Sequence, residues 1–388
     1  MAGQKTTRLF RDARPLRDLD ARTRGGIELA SPWPGARGDG RRSGRSRVPG
    51  PTRGKVTGDT TIPEIDYTGE PAVDADGRLL IADRRTRALV AIDARADWNV
   101  LPSERLVAGK LPFLPKKREH ACGISPVLLD GGHGVTLDGA NVVLHRGADA
   151  TLVEAKGVPW IGGVGQLVHR TNDGLRAIAL EPPHATYWEI KLARAPSQLA
   201  FAPQAHLLVL TAGAPDTLLH RFDLANGQPV GKITLPESTA PDLVVAEDGV
   251  VFVGLASWLT AVDAEGGVRW RESGGGAPLA LAAPDASVLL VGVRDGARWR
   301  LRGHETGTGR LLWSHDDARF TGLPKIDGRG LAYMRQGDDL VAIDPRTGVV
   351  FPQRVGLGES DWEFTFGGPG RIFVVRRSSS GTGFLVVE

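Results

Sequence analysis

Four aspartates, Asp93, Asp223, Asp263 and Asp344, each close a short run that ends in an apolar residue. Carboxylates that converge can bind a metal or move a proton. An aspartate can equally bond backbone N–H groups two residues on, while a following glycine takes the left-handed corner of a tight turn. These four recur at the same place in successive stretches of chain, so we read them as turn caps spread too widely to act together. A second grouping is Lys116, Lys117, Arg118, His120 and Cys122, within the long connection 101–123. His-x-Cys offers two soft metal ligands, and a thiol beside cations has its pKa lowered. A structural zinc needs four ligands, however, and the other histidines are scattered. We therefore read this segment as a surface loop and, because it is the longest connection, as the candidate partner-binding loop. No phosphate loop, nucleophile elbow or HExxH pattern occurs, so the expectation is no catalytic residue, no cofactor and no metal.

A third set is cationic. Residues 1–55 hold 14 Lys+Arg against 5 Asp+Glu, whereas the remaining residues hold 34 against 40. The overall net charge of +3 thus averages a basic tail with a mildly acidic body. The tail is rich in Arg, Gly, Pro and Ser and buries too little apolar surface to offset its ordering entropy, so it is expected to be disordered. Arg41, Arg42, Arg45, Arg47 and Arg53 offer contacts to nucleic acid or another polyanion by charge alone. A solubilising role is the plainer reading. Charges interrupt any apolar secretory segment near the start, no run is long enough to span a bilayer, and Cys122 stands alone, so a cytoplasmic location is expected.

The elements that position these residues follow from periodicity. Beyond residue 56 the apolar runs are four to seven residues long, rich in Val, Ile and Leu, and bounded by turn residues, as in residues 79–83, 250–254 and 340–344. That pattern predicts strands, and no helical period is present. A proline followed by a short strand recurs at Pro71, Pro126, Pro159, Pro196, Pro241, Pro278 and Pro324, with a mean spacing of about 42 residues. Each unit reads as four strands. The sequence thus predicts an all-β, eight-bladed β-propeller of four-stranded antiparallel blades, with seven blades open because units two and three are short. The tail would occupy 1–55 and the propeller 56–388. The last unit, 361–388, lacks a fourth strand, which residues 60–68 would supply to close the ring.

The link between third and fourth strands carries the strongest motif: LVAIDPRTGVVF at 340–351, LTAVDAEGGVRW at 259–270 and RLRGHETGTGRLLW at 300–313. Trp270 and Trp313, with Phe351 taken as their equivalent, are expected to pack between neighbouring blades. These motifs resemble the pyrroloquinoline-quinone-type repeat, with Asp344, Thr347 and Gly348 the nearest match. That family includes quinone-dependent dehydrogenases, an outer-membrane assembly lipoprotein and interaction propellers without cofactor. The resemblance implies the propeller. The dehydrogenases hold their quinone against a disulfide between adjacent cysteines, and this chain has one Cys. The lipoprotein needs a cysteine near its start, far from Cys122. The reading is therefore a non-catalytic scaffold for protein–protein interaction in an intracellular bacterial complex. The alternatives are a cofactor-binding enzyme using the central channel and an exported envelope-assembly propeller.

Overall fold

The computed structural model describes residues 46, 48–51 and, apart from several connections, 54–388. Outside the description lie 1–45, 47, 52–53 and several connections, the longest being 107–126. The described residues contain strands and no helix, and so no helix long and apolar enough to cross a membrane.

Among the described residues, thirty-two strands form eight four-stranded antiparallel sheets. Sheet I holds β2 (Tyr67–Val73), β3 (Leu79–Asp83), β4 (Ala88–Asp93) and β5 (Asn99–Leu106). Sheet II holds β6 (Val127–Leu129), β7 (His133–Asp138), β8 (Asn141–Arg146) and β9 (Asp149–Val153). Sheet III holds β10 (Trp160–Gly163), β11 (Gln166–Arg170), β12 (Gly174–Ala179) and β13 (Thr186–Lys191). Sheet IV holds β14 (Gln198–Ala202), β15 (His206–Thr211), β16 (Gly213–Asp223) and β17 (Pro229–Ser238). Sheet V holds β18 (Asp242–Val245), β19 (Val251–Gly254), β20 (Trp258–Val262) and β21 (Val268–Ser273). Sheet VI holds β22 (Ala277–Ala282), β23 (Val288–Asp295), β24 (Arg298–Glu305) and β25 (Leu311–His315). Sheet VII holds β26 (Phe320–Ile326), β27 (Ala332–Gln336), β28 (Asp339–Ile343) and β29 (Val350–Gly356). Sheet VIII holds β30 (Trp362–Gly368), β31 (Arg371–Ser378) and β32 (Gly381–Val387), completed by β1 (Val56–Ile62) from the other end of the chain.

Within each of sheets I to VII the strands are paired in chain order, so every link is a hairpin. The first strands of neighbouring sheets touch, β6 with β10, β10 with β14, β14 with β18, β18 with β22, β22 with β26, and β30 with β2. These strands are therefore innermost and the fourth strands outermost. Burial follows that order: β18 and β19 are buried at every residue, whereas β21 buries only Trp270. A strand covered on both faces needs no polar alternation, which is why inner strands read as unbroken apolar runs.

The core lies between sheets. One cluster joins sheets III and IV through Leu175, Trp188, Phe201 and Phe222, and another joins V and VI through Phe252, Trp270, Leu289 and Val291. The largest spans VII, VIII and I, where Leu340, Phe366, Phe373, Phe384, Leu79 and Ile92 meet. Each fully buried Phe there contributes about 2–3 kcal/mol.

The recurring prolines fall on inner strands. Pro71, Pro278 and Pro324 lie in β2, β22 and β26 beside register shifts, and Pro196 and Pro241 stand just before β14 and β18. Proline has no N–H for a ladder, so it marks a bulge or a strand start. Pro126 and Pro159 lie outside the described residues.

Two expected boundaries move. The closing strand is 56–62, not 60–68, and residues 67–68 belong to β2. The chain is also ordered before residue 56: Ser46 and Val48 to Pro51 lie against sheets VII and VIII, and Lys55 exchanges two backbone bonds with Glu388, both at 2.9 Å. Composition missed this because the segment is held by backbone hydrogen bonds and by little apolar burial.

Candidate functional site

Three of the four expected aspartates, Asp223, Asp263 and Asp344, accept hydrogen bonds within their own turns, one to a sheet. Asp223, ending β16, accepts from Ala225 N–H at 2.8 Å and Asn226 N–H at 3.2 Å. Asp263 accepts from Gly267 N–H at 2.6 Å, and that bond, ahead of others in the turn, holds its carboxyl below the usual range. Asp344 accepts from Arg346 N–H at 2.9 Å and from the Thr347 hydroxyl at 2.8 Å. Gly348 has φ +74° and returns a bond to Asp344 O at 2.8 Å. Asp93 ends β4 opposite Asn99. In sheet VI a glutamate takes the aspartate's place: Glu305 accepts from the Thr308 hydroxyl at 2.5 Å, which lowers its pKa.

These turns receive the neighbouring sheet. The ring of Trp270 lies over Gly309 of the next turn, where a Cβ would stand 2.6 Å from it, and its indole N–H donates to Thr306 O at 2.7 Å. Trp313 lies over Gly348 in the same way and donates to Pro345 O at 2.8 Å. Trp188, which the sequence reading passed over, lies over Gly227 and donates to Leu224 O at 2.9 Å. In every case the acceptor is the residue after the turn carboxylate, so one turn offers a carbonyl and a bare glycine face to one indole.

Each of these tryptophans faces a small residue on the third strand of its own sheet: Trp188 pairs Ala177, Trp270 pairs Ala261 and Trp313 pairs Gly303. Sheet IV inverts the sizes. Gly231 stands in the tryptophan position, opposite Arg221. The Arg221 guanidinium crosses to sheet V and donates to Ala264 O, the equivalent acceptor, and to Asp263 O at 3.3 Å. In sheet VII Val350 pairs Ile343 as Leu311 pairs His304, so by this register the position equivalent to Trp313 is 352, one residue after Phe351.

A charged group is buried among the inner strands. Lys325 of β26, 5% exposed in its side chain, lies 2.7 Å from Glu70 of β2 and 4.0 Å from Glu363 of β30. It also donates to Phe364 O and sits 4.6 Å from the centre of that ring. One ammonium thus ties sheet VII to VIII and I. Asp242 of β18 similarly accepts from Leu281 N–H of β22 at 3.0 Å. Among the described residues no three His, Cys, Asp or Glu side chains are grouped to hold a metal. Lys116, Lys117, Arg118, His120 and Cys122, and likewise Arg41, Arg42, Arg45, Arg47 and Arg53, lie outside the described residues.

A family model described as outer membrane protein assembly factor BamB matches residues 178–359, the span that carries the Asp223, Asp263 and Asp344 turns and the three clasping indoles. Over that stretch the chain is similar to the pyrroloquinoline-quinone-like repeats. No curated protein matches the chain in sequence. Among solved structures the chain is similar to BamB from Moraxella catarrhalis, with 14% identity, 86% of this chain and 99% of that chain covered, and a TM-score of 0.56. It is also similar to the WD40 domain of Neurospora crassa Pan2, with 8% identity, coverages of 68% and 87%, and a TM-score of 0.51. A virginiamycin B lyase from Staphylococcus aureus overlays with 10% identity, coverages of 86% and 99%, and a TM-score of 0.46. What the chain shares with BamB and the Pan2 domain at such identities is the propeller fold, and function resides in what is grafted on it. With Cys122 its only cysteine, the chain cannot form a disulfide between adjacent cysteines.

Proposed function

We propose that the chain is an eight-bladed propeller acting as a non-catalytic scaffold that binds protein partners, each sheet being one blade. The observation that supports this reading is that, among the described residues, the carboxylates, indoles and cations at the turns and inner strands are committed to architecture. Turn carboxylates cap backbone N–H groups, indoles and Arg221 clasp the next turn, and Lys325 ties three sheets. The partner is assigned to the face on which the fourth strands end and the first strands begin, because the connection 107–126 joins β5 to β6 there. The location proposed is intracellular, with the basic tail as an auxiliary contact for a polyanion.

The test is partner capture from the native host by the full chain and by a chain lacking residues 109–119. Loss of a specific partner with the deletion is expected, and unchanged capture refutes the assignment of this face. The family match favours a second reading, an exported envelope-assembly propeller. Fractionation of the same host separates the two, since recovery with the envelope would replace the intracellular reading.

A further inference from the structure

The segment just upstream of β1 is bound to the molecule as a peptide is bound to a receptor. Ser46 N–H donates to Ile326 O at 2.6 Å, Gly328 N–H donates to Val48 O at 2.7 Å, and Gly370 N–H donates to Pro49 O at 2.9 Å. Gly50 N–H donates to Asp327 Oδ2 at 2.8 Å. Arg329 Nη2 donates to Gly50 O at 3.1 Å and to Pro51 O at 3.3 Å, and the Tyr333 hydroxyl reaches Pro51 O at 3.3 Å. Val48 packs on the core cluster shared by sheets VII, VIII and I.

The receiving surface is organised by itself. Asp327 is fully buried, and its carboxylate accepts from Arg329 N–H and Leu331 N–H, both at 2.9 Å, and from Arg329 Nε at 3.0 Å. Only its bond to Gly50 comes from the strap. Arg329 Nη2 also holds the Tyr333 hydroxyl at 3.1 Å. Selectivity follows from shape and from which N–H groups exist. A Cβ at Gly50 would lie 2.5 Å from the Tyr333 oxygen, so only glycine fits there. The flanking prolines have no N–H to satisfy and a fixed φ, which lowers the cost of ordering an extended ligand.

We propose that Ile326 to Tyr333 together with Gly370 form a peptide-binding groove that reads a Val-Pro-Gly-Pro segment. Residues 48–51 fill it in cis, and a protein partner carrying such a segment takes it by displacing them. The groove lies at the turns between first and second strands, on the face opposite the connection 107–126, so it is independent of the partner face proposed above. The few residues between Pro51 and β1 keep the internal ligand at a high effective concentration, which closes the groove to weak competitors.

The test uses full-length chains and a fluorescent peptide of residues 44–53, GRSRVPGPTR, read by anisotropy. The Gly50→Ala chain, whose strap no longer fits, should bind the peptide roughly tenfold or more tightly than the unaltered chain. A peptide with alanine at the glycine position, and a scrambled peptide of the same charge, should not bind. Equal affinity for the two chains, no binding to the Gly50→Ala chain, or equal binding of the scrambled peptide would overturn the proposal. If the Gly50→Ala chain does not melt cooperatively, a chain with residues 46–51 replaced by alternating Gly and Ser provides the open groove, and the same outcomes decide.

Discussion

His304 in β24 is 3% exposed, with Nδ1 2.9 Å from Gly309 O and no hydrogen-bond partner at Nε2 among the described residues. The carbonyl requires a proton on Nδ1, so the neutral ring carries its bare nitrogen inward. Burial, aided by Arg302 and opposed by the bond to Gly309, lowers its pKa from 6.5. His169, fully buried, is lowered for the same leading reason. An unfolded chain protonates these rings first, so their contribution to stability is complete above the unfolded value and is lost as pH falls below it. The melting temperature should be flat above about pH 7 and decline from about pH 6.5 downward. His304→Gln keeps a donor for Gly309 O without an ionisable ring and should show a shallower decline. Parallel pH profiles for the two proteins would remove His304 from the explanation. Sequence could not show this, because a histidine in a strand has no local mark of burial. The turn aspartates were legible because Asp and Gly act on their own neighbours.

At the scale of elements, the clasp between sheets is a size-matched pair plus one donor aimed at a turn carbonyl. Trp270→Ala empties that place and should cost about 3–5 kcal/mol in urea unfolding. Sheet IV provides a sharper check, since Gly231 and Arg221 exchange the large and small positions. Arg221→Ala should cost about 1–3 kcal/mol, because Ala264 O loses a charged donor. Adding Gly231→Trp to Arg221→Ala rebuilds the Trp/Ala pair of sheets III and V and should recover a large part of that loss. A double variant no more stable than Arg221→Ala would show that register alone does not define the clasp. The motif near 340–351 located the clasp, but its turn is one residue longer than that of sheet V: pairing resumes at Val350, six residues after Asp344, where in sheet V it resumes at Val268, five after Asp263, so Phe351 stops one place short. Register, set by turn length and by the bulge common to these sheets, is where reading by motif fails. Trp188 was missed for a related reason, as its turn carries no Asp-x-x-Thr-Gly to announce it.

For the whole molecule, the unit spacing was legible because each repeat spends its residues in the same order, and a ring of repeats accounts for a length that otherwise suggests two domains. The reach of the ordered chain was not legible, since strap and closing strand are defined by partners 277 or more residues away. Arg376 holds Asp59 at 2.9 and 3.0 Å, and Thr60 stands opposite Phe384. Without β1, sheet VIII would have three strands, and β32, buried from Thr382 to Val387, would become an open edge. Such an edge invites pairing with other chains. Removing residues 1–45 leaves strap and β1 in place and should shift the melting temperature by less than about 2 °C. Removing residues 1–62 should abolish the cooperative transition and drive the protein into aggregates on size-exclusion chromatography. Stable monomers of the longer truncation with an unchanged melt would mean that the ring does not depend on joining its two ends. A large loss of stability from the shorter truncation would mean that residues before Ser46 also bind the propeller.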